Sequence, residues 1–358
     1  MNWLGAFLLA ANLSAVSVPP PSPETVLAVP EDLATRTHEA VISGTPNKAE
    51  RLDRLVEFLH SARGLNFSYS TEPTRAVAGT YAAGEGNCLA FTLTFIALAR
   101  QAGLRAYPRE VNVRAQWRRE GSAVLSIGHV NVGVDTPHRN AIVDFEPDLM
   151  EAQRLAHPFR GRRISDERAL AHFYNNRAAE LMVAGDLASA EAWVDQALAL
   201  DETFAPAWIT RGVVSRRGGE VERAERAFLT ALDHDERSVN ALVNLVSLKR
   251  TTGERSAMID YGRRLEDLAP DDPYFLWELG RFHRDLGELG LARRALERAV
   301  RLTEGEDPTL LASLAEVLLE LGEREDARRY IARSMTLVPA DEPAGDTLER
   351  LIRLKKQL

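Results

Sequence analysis

A glycine recurs at a nearly constant interval through the second half of this chain of 358 residues. Gly185, Gly219, Gly253, Gly287 and Gly322 follow one another at spacings of 34, 34, 34 and 35. Each lies between two stretches with the apolar periodicity of a helix. An interval of this kind indicates an array whose units bury their apolar faces against one another. It therefore predicts about five helix–turn–helix units, and it restricts the fold more than any other feature of the sequence.

Small residues follow the glycines in register, which indicates helices that cross closely. Five positions after a glycine stands an alanine, except at Met258. The positions that agree with the period are Ala190, Ala224, Ala292 and Ala327, then Ala197, Ala231 and Ala299, the pairs Trp208–Gly212 and Leu276–Gly280, and the closing prolines Pro270 and Pro339. This pattern resembles the tetratricopeptide repeat over about residues 171–340. The resemblance implies an all-α solenoid, which we expect to occupy residues 166–358, with the amphipathic stretch 348–357 as a capping helix.

A solenoid of this family implies two possible roles for the second half. The groove of such arrays usually binds a peptide or another protein, so a protein partner is expected. The alternative is an intrachain brace, because the sequence shows no clamp of basic and asparagine residues repeated in register.

The N-terminal stretch, residues 1–30, has the pattern of a targeting segment. Residues 1–18 are mostly apolar and a proline-rich stretch follows at 19–23, although the basic start of a typical secretory signal is missing. We expect export to the periplasm or the medium of a bacterium, or a cytoplasmic location if the segment is not a working signal. No later run reaches about 18 apolar residues, so no stable membrane span is expected after the signal is removed.

Composition excludes several classes of function. A net charge of −8 and a pI near 5.6 give no electrostatic reason to bind nucleic acid. The single cysteine, Cys88, excludes an internal disulfide and any site of several cysteines that holds zinc or iron–sulfur.

Residues 31–165 have a mixed pattern that places Cys88 at the start of an apolar helix. An amphipathic helix is predicted over 47–60. The Cys88 helix ends near Gly103, and three strand-like runs follow at 105–117, 123–134 and 140–145. If the last two runs pair through the intervening turn, residue 129 lies opposite about residue 146 and close to Asp144.

Three polar side chains in this region have the types needed for thiol catalysis. Helix N-termini favour the thiolate form of cysteine, and Gly84 and Gly86 allow a tight loop before Cys88. A proton acceptor and a group to orient it are then required. The motifs Gly86-Asn87-Cys88, His129-Val130 and Val143-Asp144-Phe145 resemble the transglutaminase-like cysteine protease superfamily over about residues 50–150. The family's nucleophile, base and orienting carboxylate would be Cys88, His129 and Asp144.

That resemblance implies a fold and a reaction. The fold would be an α+β papain-like core, with the nucleophile helix packed on an antiparallel sheet. The reaction would be hydrolysis or acyl transfer at an amide of a peptide or protein through a thioacyl-enzyme, without a cofactor. Tyr81 and Asn87 are the candidates for a second oxyanion donor.

Two other interpretations of the same residues stay open. His129, Asp135, His138 and Asp144 have ligand types that would suit a metal ion. The chain as a whole could also be a non-catalytic tetratricopeptide scaffold in which the cysteine region is vestigial or only binds peptide.

Overall fold

The structure is a computed structural model that describes residues 19–71, 73–120, 123–136, 140–145, 161–268, 272–338 and 346–356. The signal-like segment 1–18 and the closing prolines Pro270 and Pro339 lie outside the described residues. The chain divides into two compact units. The first comprises Met1–Arg109, Val130–Arg154 and Arg163–Gly218, and the second comprises Glu110–His129, Leu155–Arg162 and Gly219–Leu358.

The first half contains helices with small sheets. Its described helices are α1 (Pro23–Leu27), α2 (Glu31–Thr37, continued by a π-helical turn, His38–Ile42), α3 (Lys48–His60), α4 (Val77–Ala83) and α5 (Cys88–Gln101). Helix α3 begins where the sequence predicts, because the Asn47 side chain caps it by accepting a hydrogen bond from the Ala49 backbone N–H at 3.0 Å.

The described strands form two sheets. They are β1 (Ser68–Tyr69), β2 (Glu85–Gly86), β3 (Arg105–Glu120), β4 (Ala123–Asp135), β5 (Asn140–Val143) and β6 (Gly161–Arg163). Strands β1 and β2 pair in parallel, and the other four have the spatial order β5-β4-β3-β6. Strands β4 and β5 are antiparallel with Val132 opposite Val143. This is the register of the predicted hairpin, although the predicted partner of residue 129, residue 146, lies outside the described residues.

The second half consists of helix pairs with the predicted period. In the first unit, α6 (Asp166–Val183) pairs with α7 (Leu187–Leu200), and α8 (Ala205–Arg217) follows. The second unit begins with α9 (Val221–His234) and continues with the pairs α10 (Val239–Thr252) and α11 (Arg255–Leu268), α12 (Pro273–Leu286) and α13 (Leu289–Leu302), and α14 (Pro308–Glu320) and α15 (Arg324–Leu337). Each turn contains one of the five periodic glycines at a φ between +78° and +87°. A side chain is disfavoured at such a φ, which explains the glycine at each turn. The prediction of a tetratricopeptide-like helical solenoid is confirmed.

A last helix, α16 (Asp346–Lys355), covers the apolar surface of repeat 5. Leu351 and Leu354 are buried in one cluster with Ala312, Ala315 and Ile331 of α14 and α15. This is the packing that the amphipathic pattern of the tail predicts, since these leucines would otherwise be exposed to water.

The papain-like α+β core is not confirmed, because the sheets are small and α5 lies largely among helices. Strands β5 and β6 have four and three residues, and β1 and β2 have two each. Helix α5 contacts α1 to α4 and α6. Its contacts with the four-stranded sheet include hydrogen bonds from the Arg100 guanidinium to the Ala106 carbonyl of β3 at 3.1 and 3.3 Å and from the Thr92 hydroxyl to the Val130 carbonyl of β4 at 3.4 Å. Phe91 and Phe95 pack against Phe145, which follows β5.

The core of the first unit includes the first repeat as well as the N-terminal helices. One buried cluster contains Val26 of α1, Phe95 of α5 and Trp193 of α7. The buried Tyr174 of α6 donates its hydroxyl to the Pro21 carbonyl at 2.8 Å. Burial, together with the charge of Glu24, raises the pKa of Tyr174 to about 12, so the hydroxyl keeps its proton. The boundary expected at 165/166 stays a prediction, but in this unit the first repeat and the N-terminal region share one core.

Candidate functional site

Cys88 is the first residue of α5, as the sequence predicts. Its side chain belongs to the buried core, with 8% of the residue exposed. The preceding Asn87 caps the helix by accepting the Ala90 backbone N–H at 3.0 Å. Gly86 is required by close packing, since a Cβ there would lie 2.9 Å from the Ala90 side chain. Close packing therefore explains the loop before Cys88. A buried cysteine at such a helix start commonly serves as a small apolar core residue.

Asp144 and His129 are both buried, with 4% and 5% exposure. Asp144 follows β5 and belongs to the first unit. Its carboxylate accepts a hydrogen bond from the side-chain amide of Asn131 at 2.9 Å and another from the backbone N–H of Phe145 at 2.8 Å. His129 is the last residue of a segment of the second unit. The described contacts thus bring Asp144 together with Asn131, a polar partner that sequence reasoning did not select.

Both candidates for an oxyanion donor use their polar hydrogens elsewhere. The Asn87 side chain donates to the Thr74 hydroxyl at 2.7 Å and to the Thr71 carbonyl at 3.4 Å. The Tyr81 hydroxyl donates to Asp32 at 2.7 Å on the surface.

The alternative of a metal site gains no support from the described residues. Among them, no group of three or more histidine, cysteine, aspartate or glutamate side chains is arranged to hold a metal ion. His138 of the proposed ligand set lies outside the described residues.

A second candidate site lies on the second unit, on what we call the first-helix face. This face is formed by the first helices of repeats 3 to 5, namely α10, α12 and α14, together with α16, and each of these helices contacts the next. Trp277 of α12 donates its indole N–H to the Ser313 hydroxyl of α14 at 2.7 Å. The Arg281 guanidinium lies 4.8 Å from the centre of the Trp277 ring. An aromatic side chain and a cation are thus presented where two repeats meet, which is a composition common at protein interfaces.

Charged side chains connect the helices of the first-helix face. Glu316 of α14 bonds both Arg284 of α12 and Arg350 of α16. Burial alone would raise the pKa of Glu316, but the hydrogen bond from Arg350 and the charges of both arginines hold that pKa below its ordinary value. Arg284 also pairs with Glu320 at 2.6 Å. The largely buried Glu316 thus connects the guanidinium groups of Arg284 and Arg350, and Glu320 gives Arg284 a second carboxylate partner.

A pocket of about 310 Å³ opens beside this network. Its wall is formed by three arginines, two glutamates and two leucines. The lining residues are Arg284, Glu316, Leu319, Glu320, Arg350, Arg353 and Leu354. A small polar group with an adjacent apolar side chain would match such a lining.

Sequence reasoning did not identify these residues, although a signal for them is present. Arg216, Arg250 and Arg284 are each one glycine period apart. The clamp pattern combines basic residues with asparagine in register, whereas here a single arginine recurs without an asparagine.

Comparison with known proteins yields structures and no families. No family model and no curated protein matches the chain. Among similar solved structures, PilF of Pseudomonas aeruginosa is 21% identical, with a TM-score of 0.45, over 53% of this chain and 85% of that one. TTC0263, a thermophilic TPR protein of Thermus thermophilus, is 18% identical over 52% and 98%, with a TM-score of 0.43. YrrB, a TPR protein with an unusual peptide-binding site, is 19% identical over 52% and 92%, with a TM-score of 0.39.

These findings correct the assignment made from the cysteine motifs. The three structures are tetratricopeptide-repeat proteins, and no transglutaminase-like domain is indicated. The assignment of residues 50–150 to the transglutaminase-like superfamily is therefore wrong, and so is the peptidase, amidase or acyltransferase function inferred from it. The grouping of Cys88, His129 and Asp144 as a site, and the expectation of an enzyme, stay predictions.

Two expectations about location and partners have different outcomes. Within the described ranges, no helix is long and apolar enough to cross a membrane. The expected export depends on residues 1–18 and stays a prediction. A protein partner is supported by the tetratricopeptide-like fold, and nucleic acid is not indicated.

Proposed function

We propose that this chain is a tetratricopeptide interaction protein that binds a peptide segment of a partner protein on the first-helix face. The observation that carries the proposal is the junction of α12, α14 and α16, where the Ser313 hydroxyl accepts hydrogen bonds from Trp277 and from Arg350 of the pocket lining. The Arg281 guanidinium lies over the same Trp277 ring. Aromatic and arginine side chains are the residues that dominate binding energy at protein interfaces.

The contacts of the first repeat support a division of roles within the array. Helix α6 is occupied by the chain itself, because Tyr174 bonds Pro21, and Glu180 accepts the Thr74 backbone N–H at 2.8 Å. That repeat acts as an intrachain brace. The first-helix face of repeats 3 to 5 meets only its own array in the described residues, and it is therefore the surface proposed for a partner.

The test is selection of peptides from a displayed random library on the full-length protein. The affinity of the selected peptides is then compared between the wild type and Arg281→Glu. This substitution changes the charge beside Trp277 and, among the described residues, removes one ion pair, with Glu278 of the same helix at 2.9 Å. We expect the affinity to fall at least tenfold.

Arg328→Glu is the matched control. Arg328 also pairs with a glutamate three residues earlier, Glu325 at 3.1 Å, but it lies on α15, a second helix. Peptides that bind Arg281→Glu and Arg328→Glu as tightly as the wild type would show that binding does not use the first-helix face.

A further inference from the structure

An arginine occupies one register position in several units of the array. Arg216, Arg250 and Arg284 are one period apart, and Arg353 follows about two periods after Arg284. The intervening position is Leu319, which lies one period after Arg284 and one before Arg353. Arg353 on α16 is thus the counterpart, in sequence register, of arginines near the ends of the first helices.

Two of these arginines bind a carboxylate of the next first helix. Arg250 of α10 forms an ion pair with Asp285 of α12, and Arg284 of α12 pairs with Glu320 of α14. Asp285 and Glu320 are themselves one period apart, so they share a register position. A carboxylate supplied by a neighbouring helix is therefore the repeated partner of the arginine at this position.

Arg353 differs from Arg250 and Arg284 because it is exposed and forms no ion pair with any described residue. The other two arginines of the pocket, Arg284 and Arg350, are both bound to Glu316. Three guanidinium groups face two carboxylates in the lining, so the pocket has one excess positive charge. Leu319 and Leu354 give the same pocket an apolar wall.

From this geometry we infer that the partner segment carries an aspartate or glutamate next to an aliphatic side chain. Its carboxylate pairs with Arg353 in the way that Glu320 pairs with Arg284, and its aliphatic side chain contacts Leu319 and Leu354. A carboxylate matches the one excess positive charge of the lining, whereas a doubly charged phosphate group would leave an uncompensated negative charge beside Glu316 and Glu320. The inference rests on the proposed function, since it specifies the chemistry of the partner bound there.

The library selection on the full-length protein tests this inference in two steps. The selected peptides are first compared for an acidic residue beside Leu, Ile or Val. The best peptide is then measured against the wild type and Arg353→Gln by fluorescence anisotropy, with Arg329→Gln as control. The Arg329 side chain is 76% exposed on α15 and pairs only within that helix in the described structure. We expect Arg353→Gln to weaken binding about tenfold, the range of a charge-assisted pair, and Arg329→Gln to change it less than twofold.

A double-mutant cycle separates a direct pair from an indirect effect. Replacing the acidic residue of the peptide by its amide should cost about tenfold with the wild type and little with Arg353→Gln. Equal losses with both proteins would overturn the pairing. Selected peptides without an acidic residue would overturn the inference while leaving the proposed function in place, provided that Arg281→Glu still weakens their binding. If Arg281→Glu has no effect either, the proposed function itself has failed.

Discussion

The side chain of Asp272 caps a helix, but its burial makes the charged form of the carboxyl group less favourable. Its carboxylate accepts the backbone N–H groups of Tyr274 and Phe275, both at 3.0 Å, at the start of α12. Burial nevertheless raises the pKa of Asp272 to about 6, against the effect of these hydrogen bonds. The folded state therefore disfavours the charged form that the helix start would otherwise prefer.

Asp272→Asn should make the protein more stable at neutral pH. The pKa is higher in the folded chain than in the unfolded chain, where it is about 3.9, so wild-type stability is complete below pH 4 and falls as the pH rises to 6. Asparagine caps a helix as well as aspartate but has no charge to bury. Urea unfolding at several pH values should give equal stability at pH 4 and a gain on the order of 1 kcal/mol above pH 6. That figure is lower than the full pKa difference implies, because the group is partly solvated. A variant less stable than the wild type at pH 8 would contradict the cause given for the shift.

Cys88 provides a second prediction at the residue scale, because a peptide-binding role for the repeats requires no reaction at this thiol. The residue is only 8% exposed, so iodoacetamide at pH 7.5 should modify the folded protein no faster than it modifies glutathione. His129→Ala should leave the rate unchanged. Faster modification that depends on His129 would mean that the thiol and the imidazole act together, and the non-catalytic interpretation would have to be abandoned. The urea-unfolded protein serves as the control for full exposure.

At the scale of elements, α6 and the segment before α5 are joined by a chain of hydrogen bonds. Glu180 accepts the Thr74 backbone N–H, and Thr74 accepts the side-chain amide of Asn87, the cap of α5. Thr74 and Asn87 are buried, with 3% and 8% exposure. The first repeat thereby fixes the segment that leads into the Cys88 helix.

Removing Glu180 should destabilise this connection. Glu180→Ala leaves a buried N–H of Thr74 without its acceptor and Arg177 without its partner, which should cost about 2 kcal/mol of unfolding free energy. Glu180→Gln keeps an oxygen that can accept the N–H, so it should lose less than half as much. Amide exchange at Thr74 is the local measurement, and we expect it to accelerate in Glu180→Ala more than in Glu180→Gln. Equal exchange in all three proteins would show that the contact does not stabilise the segment.

The whole molecule has a net charge of −8, opposite in sign to the excess at the Arg353 pocket. An acidic peptide is therefore repelled at long range and attracted only in contact. The screening length is about 30 Å at 0.01 M salt and about 8 Å at 0.15 M, so added salt removes the repulsion before it weakens the pair.

The association rate of a selected acidic peptide should consequently rise several-fold between 0.01 M and 0.15 M salt. The dissociation rate should change by less than about twofold over the same range. Stopped-flow anisotropy measures both rates, and a neutral peptide from the same selection provides the control. An association rate that falls with salt would show that the field of the pocket dominates over the net charge.

Elements set by local chemistry could be predicted from the sequence, whereas their surroundings could not. The turn glycines, the Asn47 cap and the β4–β5 register follow from backbone geometry within a short stretch of chain. The environment of Cys88 depends on α6, which begins only at Asp166, and no local pattern reports that packing. The arginine that recurs at 250 and 284 was visible in the sequence, but its meaning depends on Asp285 and Glu320 of the following helices.

The five turn glycines have one more property in common. A Cβ added at Gly185, Gly219, Gly253, Gly287 or Gly322 would meet no atom within 4 Å. Glycine is therefore required at these turns by the positive φ of the backbone and not by a lack of space for a side chain. A D-alanine introduced at Gly253 by chemical ligation would suit its φ of +78° and restrict the unfolded chain, whereas L-alanine there would be strained. The repeat length of the array is thus marked by residues with a left-handed backbone conformation and open space around them.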